Sequence, residues 1–249
     1  YDDVHVFTKV GYNMYSNEPR QRFDREYLLK AIRSSLNRLM RNWVDLIQLH
    51  NPGLRVIEDP SVKEVMNEVK NSGLAKHVGV ALGPEANVLD EGLAAIKMGY
   101  EAVMFVFNAL EQEPGRTLIK EAYAKGVGTI ARVPHATGAL SEEFALNFAE
   151  GDHRRLRDRG WLIRARSFVE ERIRPIAKSL GLTLDQFAIK YVLSYPVSTL
   201  AITVTSLKEL EEYAEAADGS YLKPHVIREV EDAYAEFVRL NKANGDKAR

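Results

Sequence analysis

Hydrophobic and polar positions along the chain fall into two alternating patterns. Short apolar runs rich in β-branched residues occupy positions 4–7, 44–49, 78–81, 102–107, 127–133 and 200–204, and each predicts a strand. Between them, apolar residues recur at helical spacing. Residues 24–41 carry Tyr27, Leu28, Ile32, Leu36 and Leu39 on one face, with Asp24 as N-cap. Residues 61–72 carry Val62, Val65, Met66 and Val69, with Gly73 as C-cap. Helical patterns also cover 87–98, 116–124, 167–179, 183–193, 207–217 and 224–240, while 135–161 reads as a long charged connection and 241–249 as a frayed polar tail.

Regular alternation of strand and helix implies parallel strands joined by helical crossovers, because parallel neighbours cannot be linked by a hairpin. A doubly wound open sheet normally follows its first strand with a glycine-rich phosphate turn, and the stretch FTKVGYNMYSN supplies only Gly11. The expected fold is therefore a (β/α)8 TIM barrel. That barrel needs eight strands and the pattern supplies six, so two βα units are expected to precede Tyr1, and residues 1–249 are read as the remainder of one domain.

Composition narrows the partners. The 249 residues, 45% hydrophobic, suffice for one large core, and 34 basic against 35 acidic residues leave a net charge of -1 with the signs interspersed. Bulk charge thus points neither to nucleic acid nor to an anionic membrane. The absence of cysteine removes thiolate chemistry and fits a reducing cytoplasm. No apolar run approaches the roughly 18 residues of a membrane helix. His50, His77, His135, His153 and His225 are scattered, with no metal-ligand spacing.

In a parallel barrel, catalytic groups sit where strands end at the C-terminal face. Lys9 closes the first apolar run, His50 the second, Asn108 the fourth and Arg132 the fifth. Each could simply be a solvated strand end. Their repetition predicts one pocket lined by an ammonium, an imidazole, an amide and a guanidinium.

From Val6 to about Phe237 the chain resembles the aldo-keto reductase superfamily. The resemblance is carried by VFTKVG, by LLKAIRSSLNRLMRNWVDLIQLHNP, by KHVGVALGPE, by GVGTIARVPHATGAL, and by the later IAKSLGLTLDQFAIKYVLSYP and SLKELEEYAEAAD. It implies hydride transfer from NADPH, with NADH as an alternative, to the carbonyl of a small aldehyde or ketone. On this resemblance Lys9 and His50 are the catalytic lysine and histidine. Asn108, Arg132, Val133, Pro134, Thr205, Ser206 and Lys208 fall at cofactor-binding positions. The family's catalytic tyrosine and aspartate would precede Tyr1, so the chain alone is expected to be inactive; Tyr12 and Tyr15 are read as incidental neighbours of Lys9. Ala81, Leu82 and Met104 stand where the family places polar readers of the nicotinamide carboxamide. Glu209 and Tyr213 stand near the adenosine 2'-phosphate position, where arginine and asparagine are common. The arginines of GDHRRLRDRGWLIRAR are candidates to face phosphate. Two alternatives remain open: a barrel enzyme using Lys9 as a Schiff-base nucleophile, and a non-catalytic nucleotide-binding barrel module.

Overall fold

The structure, a computed structural model, describes residues 4–13, 20–83 and 87–243. The elements run β1 (Phe7–Val10), α1 (Arg25–Leu39), β2 (Val44–His50), α2 (Leu54–Ile57), α3 (Pro60–Asn71), β3 (Ala75–Ala81), α4 (Val88–Lys97), β4 (Ala102–Val106), α5 (Gly115–Lys125) and β5 (Gly128–Arg132). After β5 come α6 (Arg159–Phe168), a π-helical turn (Val169–Ile173), α7 (Arg174–Ser179), α8 (Leu184–Leu193), β6 (Thr199–Ala201), α9 (Leu207–Ala216) and α10 (Pro224–Ala243). The strands follow one another in the sheet in chain order, β1-β2-β3-β4-β5-β6. A doubly wound sheet would reverse its order at a switch point; this one does not, which is the order of a barrel. The chain divides into two compact units, Tyr1–Phe105 with Thr117–Ile130, and Val106–Arg116 with Ala131–Arg249.

In the first unit β1, β2, β3 and β4 pair in parallel. Register sets Lys9 opposite Gln48, Gln48 opposite Gly79, Gly79 opposite Ala102, and His50 opposite Ala81, which faces Met104. Because side chains alternate along a strand, Phe7, Lys9, Leu46, Gln48, His50, Gly79, Ala81, Ala102 and Met104 share one face. On the other face Val10, Ile47, Leu49, Val78, Val80, Val103 and Phe105 are buried, while Thr8 is half-buried and Lys76, at the N-terminal end, exposed. Right-handed crossovers place successive helices on the same side of such a sheet. The buried stripes of α1 (Leu28, Ile32, Leu36) and α3 (Val62, Val65, Met66, Val69) supply that layer. Gly79 has a steric cause: a Cβ there would lie 2.6 Å from the Ala102 carbonyl oxygen.

Local chemistry explains the helix ends. Asp24 caps α1 by accepting from Tyr27 N, and Met40 ends it in the left-handed region at φ 53. Asp59 caps α3 with Pro60 in its first turn. Thr183 and Gln186 form a reciprocal capping box on α8.

Several boundaries differ from the sequence pattern. The first strand spans Phe7–Val10, so Lys9 lies within it instead of closing it. Strand β6 stops at Ala201, short of the apolar run through Val204. The connection from 135 is interrupted by 3-10 turns at Ala136–Gly138 and His153–Leu156 and ends early, because α6 starts at Arg159 with Asp158 as its cap. From Arg159 to Ser179 the helix is continuous apart from its π turn. Pro175 offers no N–H to the preceding turn, and the local widening accommodates it. Helix α2 is too short for periodicity to reveal. Helix α10 runs through 241–243, and the rest of the polar tail, 244–249, lies outside the described residues.

At the N-terminal end of the sheet Asp45 ties three segments together. Its carboxylate accepts from Val6 N at 2.8 Å, meets the His5 ring at 3.2 Å and accepts from Lys76 Nζ at 3.1 Å. Burial alone would raise its pKa; the Val6 amide, His5 and Lys76 outweigh that and bring it down from 3.8 to about 2. A carboxyl with a depressed folded pKa stabilises the fold above its unfolded pKa and loses that contribution as pH falls through the folded one. Asp45→Asn is therefore expected to cost about 1–3 kcal/mol at pH 7, with the difference from the parent shrinking between pH 4 and pH 2. Urea denaturation across that range checks it, and a pH-independent gap would assign the effect to geometry instead of charge.

Candidate functional site

In the first unit, Lys9 and His50 occupy the C-terminal halves of adjacent parallel strands on the same face. Lys9 is exposed and His50 half-buried. Beyond His50 the chain turns at once. Asn51 adopts φ 50, which asparagine tolerates, and its N–H donates to Ala81 O at 2.8 Å. His50 is thereby left as the last residue of a fixed strand. At the end of β1, Gly11 takes φ 122, and a Cβ there would lie 2.3 Å from the Phe23 ring, so only glycine fits the turn.

Two residues on this face carried no sequence signal as site residues. Tyr12 packs its ring 4.5 Å from the His50 ring, centroid to centroid and edge to face. Tyr15 lies outside the described residues. Gln48, between Lys9 and Gly79 in register, is fully buried, and neither atom of its amide has a hydrogen-bond partner among the described residues. Such groups are uncommon, since leaving them unpaired forfeits their hydration. Ala81 and Met104 form an apolar cluster with Leu46, Ala102 and Ile130, and Leu82 is also buried. None of these three offers a hydrogen bond to a carboxamide.

In the second unit the segment after β4 is internally braced. Asn108 is fully buried; its Nδ2 donates to Glu111 Oε2 at 2.9 Å and Val133 O at 3.0 Å, and its Oδ1 accepts from Leu110 N at 2.9 Å. Both amide hydrogens and the carbonyl are thus committed within the fold. These bonds order the loop. Glu111 also pairs with Arg157 at 2.8 Å.

Arg132 ends β5 half-buried, and burial lowers its pKa, opposed by the charge of Glu111. The backbone then enters a concentrated series of left-handed residues: Val133 (φ 60), Ala136 (φ 47), Thr137 (φ 59) and Gly138 (φ 96). A β-branched valine in that region costs about 1–3 kcal/mol, and such strain gathers where geometry serves a site. Pro134 is buried within this turn. His135 sits 3.6 Å from Asp185 and 5.1 Å, ring to ring, from Tyr213; burial lowers its pKa, partly offset by Asp185.

Thr205, Ser206 and Lys208 surround the N-terminus of α9 and are exposed. Ser206 caps the helix through Glu209 N at 3.2 Å, while the Glu209 carboxylate accepts from Thr205 N at 2.6 Å and Thr205 Oγ1 at 2.9 Å. The Thr205 amide foremost holds the Glu209 carboxyl below its usual range. A negative side chain therefore already occupies the positive end of this helix.

The arginine-rich stretch is mostly spoken for. Arg154 pairs with Asp152, Arg157 lies 3.6 Å over the Trp161 ring, Arg164 donates to Asn241, and Arg166 bonds the carbonyls of Ala139 and Ser141 and pairs with Glu170. These contacts make the stretch a set of structural braces, and Arg159, Arg164 and Arg166 belong to α6 and not to a loop. No helix among the described residues is long and apolar enough to cross a membrane, and no group of three candidate metal ligands is found among them.

Residues 1–235 match the model of the aldo/keto reductase family. An uncharacterized oxidoreductase of Bacillus subtilis, YqkF, is 25% identical over 237 positions, covering 91% of this chain and 72% of YqkF. The L-glyceraldehyde 3-phosphate reductase of Escherichia coli K12 is 26% identical over 262 positions, covering 99% of this chain and 74% of that enzyme. Among solved structures, the holo form of aldo-keto reductase AKR11C1 from Bacillus halodurans superposes with a TM-score of 0.72 at 22% identity, covering 93% of this chain and 73% of its own. A family match across nearly the whole length, on a sequential parallel sheet, has one reading: the chain belongs to the aldo/keto reductase family of oxidoreductases, which use nicotinamide cofactors and have the (β/α)8 fold.

Proposed function

We propose that the chain is the larger part of an NAD(P)H-dependent carbonyl reductase acting on a small aldehyde or ketone. The observation that carries this reading is the placement of Lys9 and His50 on one face of paired strands, at the end where a parallel barrel presents its chemistry. The relatives named for oxidoreductase activity support it. A bound reduced nicotinamide would supply the hydride. Within the chain, an N–H of His50 donates to the carbonyl oxygen and favours the charge that develops there. Lys9 adds a positive charge, which stabilises an anionic form of a nearby proton donor.

The residues of the second unit fit the phosphate-bearing part of such a cofactor better than its nicotinamide. The strained turn of Val133 and Pro134, the half-buried guanidinium of Arg132, and Thr205, Ser206 and Lys208 at the start of α9 are suited to a nucleotide's polar end. Asn108 acts here by holding the Val133 carbonyl. The apolar Ala81, Leu82 and Met104 offer nothing to the carboxamide. In the same reading, two further βα units outside this chain carry the proton-donating tyrosine and the aspartate that pairs with Lys9. Six strands against the eight of the fold support that view, as does the exposure of Phe7, 45%, on the edge strand β1. We place the protein in the cytoplasm, where its lack of cysteine is no handicap.

Paired assays test the reading. With NADPH and an aromatic aldehyde, this chain is expected to turn over about 10²- to 10⁴-fold more slowly than a version extended by the preceding units, the span attributable to one general acid. Equal turnover would locate the proton donor within residues 1–249. Borohydride treatment with a carbonyl compound should leave the mass of Lys9 unchanged; a stable adduct would favour the Schiff-base alternative.

Cofactor choice is expected to be relaxed between NADPH and NADH, because Lys208 is a mobile point charge and Glu209 sits beside it at the helix start. Glu209→Gln should shift the ratio of affinities toward NADPH by about three- to tenfold, in keeping with the worth of one charge at a helix terminus. Titration of both reduced cofactors by nicotinamide fluorescence measures it. An unchanged ratio would put the 2'-phosphate away from α9.

A further inference from the structure

Tyr12 belongs to the turn after β1, yet its ring meets the one imidazole that the proposed chemistry needs. The contact with His50 is edge to face at 4.5 Å with an interplanar angle of 68°. Such a ring pair is directional, worth about 0.5–1.5 kcal/mol beyond simple burial, and so it selects among imidazole orientations.

The ring is itself held at both ends. Its hydroxyl accepts from Asn51 Nδ2 at 3.1 Å. Asn51 directly follows His50, and its φ of 50 turns its amide back toward β1. The Tyr12 carbonyl accepts from the Tyr27 hydroxyl, which anchors the turn to α1. Tyr12 also bridges Gln21, whose Nε2 donates to both His50 O and Asn51 O at 3.1 Å. On the open side, the Arg20 guanidinium lies 5.5 Å over the Tyr12 ring. The ring contact and the Asn51 bond join the end of β1 to the end of β2 directly, and the others tie both ends to α1 and the segment leading into it. A solvated loop tyrosine would need none of them.

We propose that Tyr12 is a positioning residue for His50: its ring fixes the orientation of the imidazole, and with it which ring nitrogen meets a hydrogen-bond partner and so carries the proton, and Asn51 fixes the ring. The inference rests on the proposed reductase reading for its purpose, but not for its test. A general acid or hydrogen-bond donor must present the right nitrogen to the carbonyl oxygen, and a ring free to flip presents it only part of the time.

The test is long-range proton–nitrogen NMR of the His50 imidazole in this chain, without cofactor or substrate, with the backbone spectrum of β2 as a check on folding. The parent is expected to show one protonated and one unprotonated ring nitrogen, and Tyr12→Phe, which keeps the ring but loses its bond to Asn51, to move the two signals part of the way toward their average. Tyr12→Leu is expected to merge the two signals toward their average, and Asn51→Ala to move them part of the way. The proposal is overturned if the parent already shows averaged nitrogens, if Tyr12→Leu keeps the parental pattern, or if Tyr12→Phe averages as fully as Tyr12→Leu. In an extended chain that turns over, Tyr12→Leu should lower kcat about tenfold with little change in KM, since orientation and not affinity is lost. Failure of carbonyl reduction would leave the spectra untouched, so the two readings fail separately.

Discussion

The in-register parallel ladder of β1, β2, β3 and β4 is the constraint on which the rest depends. Parallel strands all end on the same edge of a sheet, and each must be reached by a crossover, so the helices gather on one face and the strand ends on one rim. Register then does what sequence spacing alone cannot. With Lys9 opposite Gln48 and His50 opposite Ala81, an ammonium and an imidazole separated by forty positions share a face. A slip of one residue in the β1–β2 pairing would send Lys9 into the buried layer occupied by Val10, Ile47 and Leu49. Gly79 guards the same register from the other side, since any side chain there would strike the Ala102 carbonyl.

Much of this was legible from the pattern of residues. The apolar runs fall on β2 to β6 among the described residues because a strand covered by helices has no reason to alternate, whereas the first run, 4–7, meets β1 only at Phe7; Asp24 announced the start of α1 because few residues cap as well. His50 could be placed at a strand end because the turn-forming Asn51, Pro52 and Gly53 follow it directly. The first strand was less legible. Its exposed Phe7 and Lys9 alternate with Val10 and Thr8, and an edge strand of that kind has no continuous apolar signal. The helix expected over 167–179 starts earlier, at Arg159, because the arginines that open it read as part of a charged connection and hide its apolar stripe of Leu162, Ala165 and Phe168.

Side-chain commitments were the least legible part. Asn108 looks like a ligand-facing amide by position; in the fold both its amide hydrogens go to Glu111 and Val133, and its carbonyl accepts from Leu110. The arginines from 154 to 166 look like a phosphate cluster by spacing, but neighbours such as Asp152, Trp161 and Glu170 and distant groups such as Glu111, Asn241 and the Ala139 carbonyl take up most of them. Spacing records which groups are near in sequence; satisfaction of polar groups is settled by distant partners. Tyr12 errs in the opposite direction. It is three positions from Lys9 and looked incidental, but its partners are His50 and Asn51, brought to it by the β1–β2 pairing.

The two faces of the first unit also differ in how fully they satisfy themselves. Apart from Thr8 and, at its N-terminal end, Asp45 and Lys76, the helix-covered face is apolar. The opposite face holds, in one row across β1 and β2, an exposed lysine and a buried glutamine amide without a partner among the described residues, with a half-buried histidine two residues further along. Leaving a buried amide unpaired costs about 1–3 kcal/mol, more than a typical surface interaction returns. A chain selected for stability alone would place an aliphatic residue at position 48, as it does at Leu46 directly below. Polar groups held at a cost on one face, beside a glycine-tight turn and a left-handed Asn51, are what a surface requires if it is to act on something other than itself.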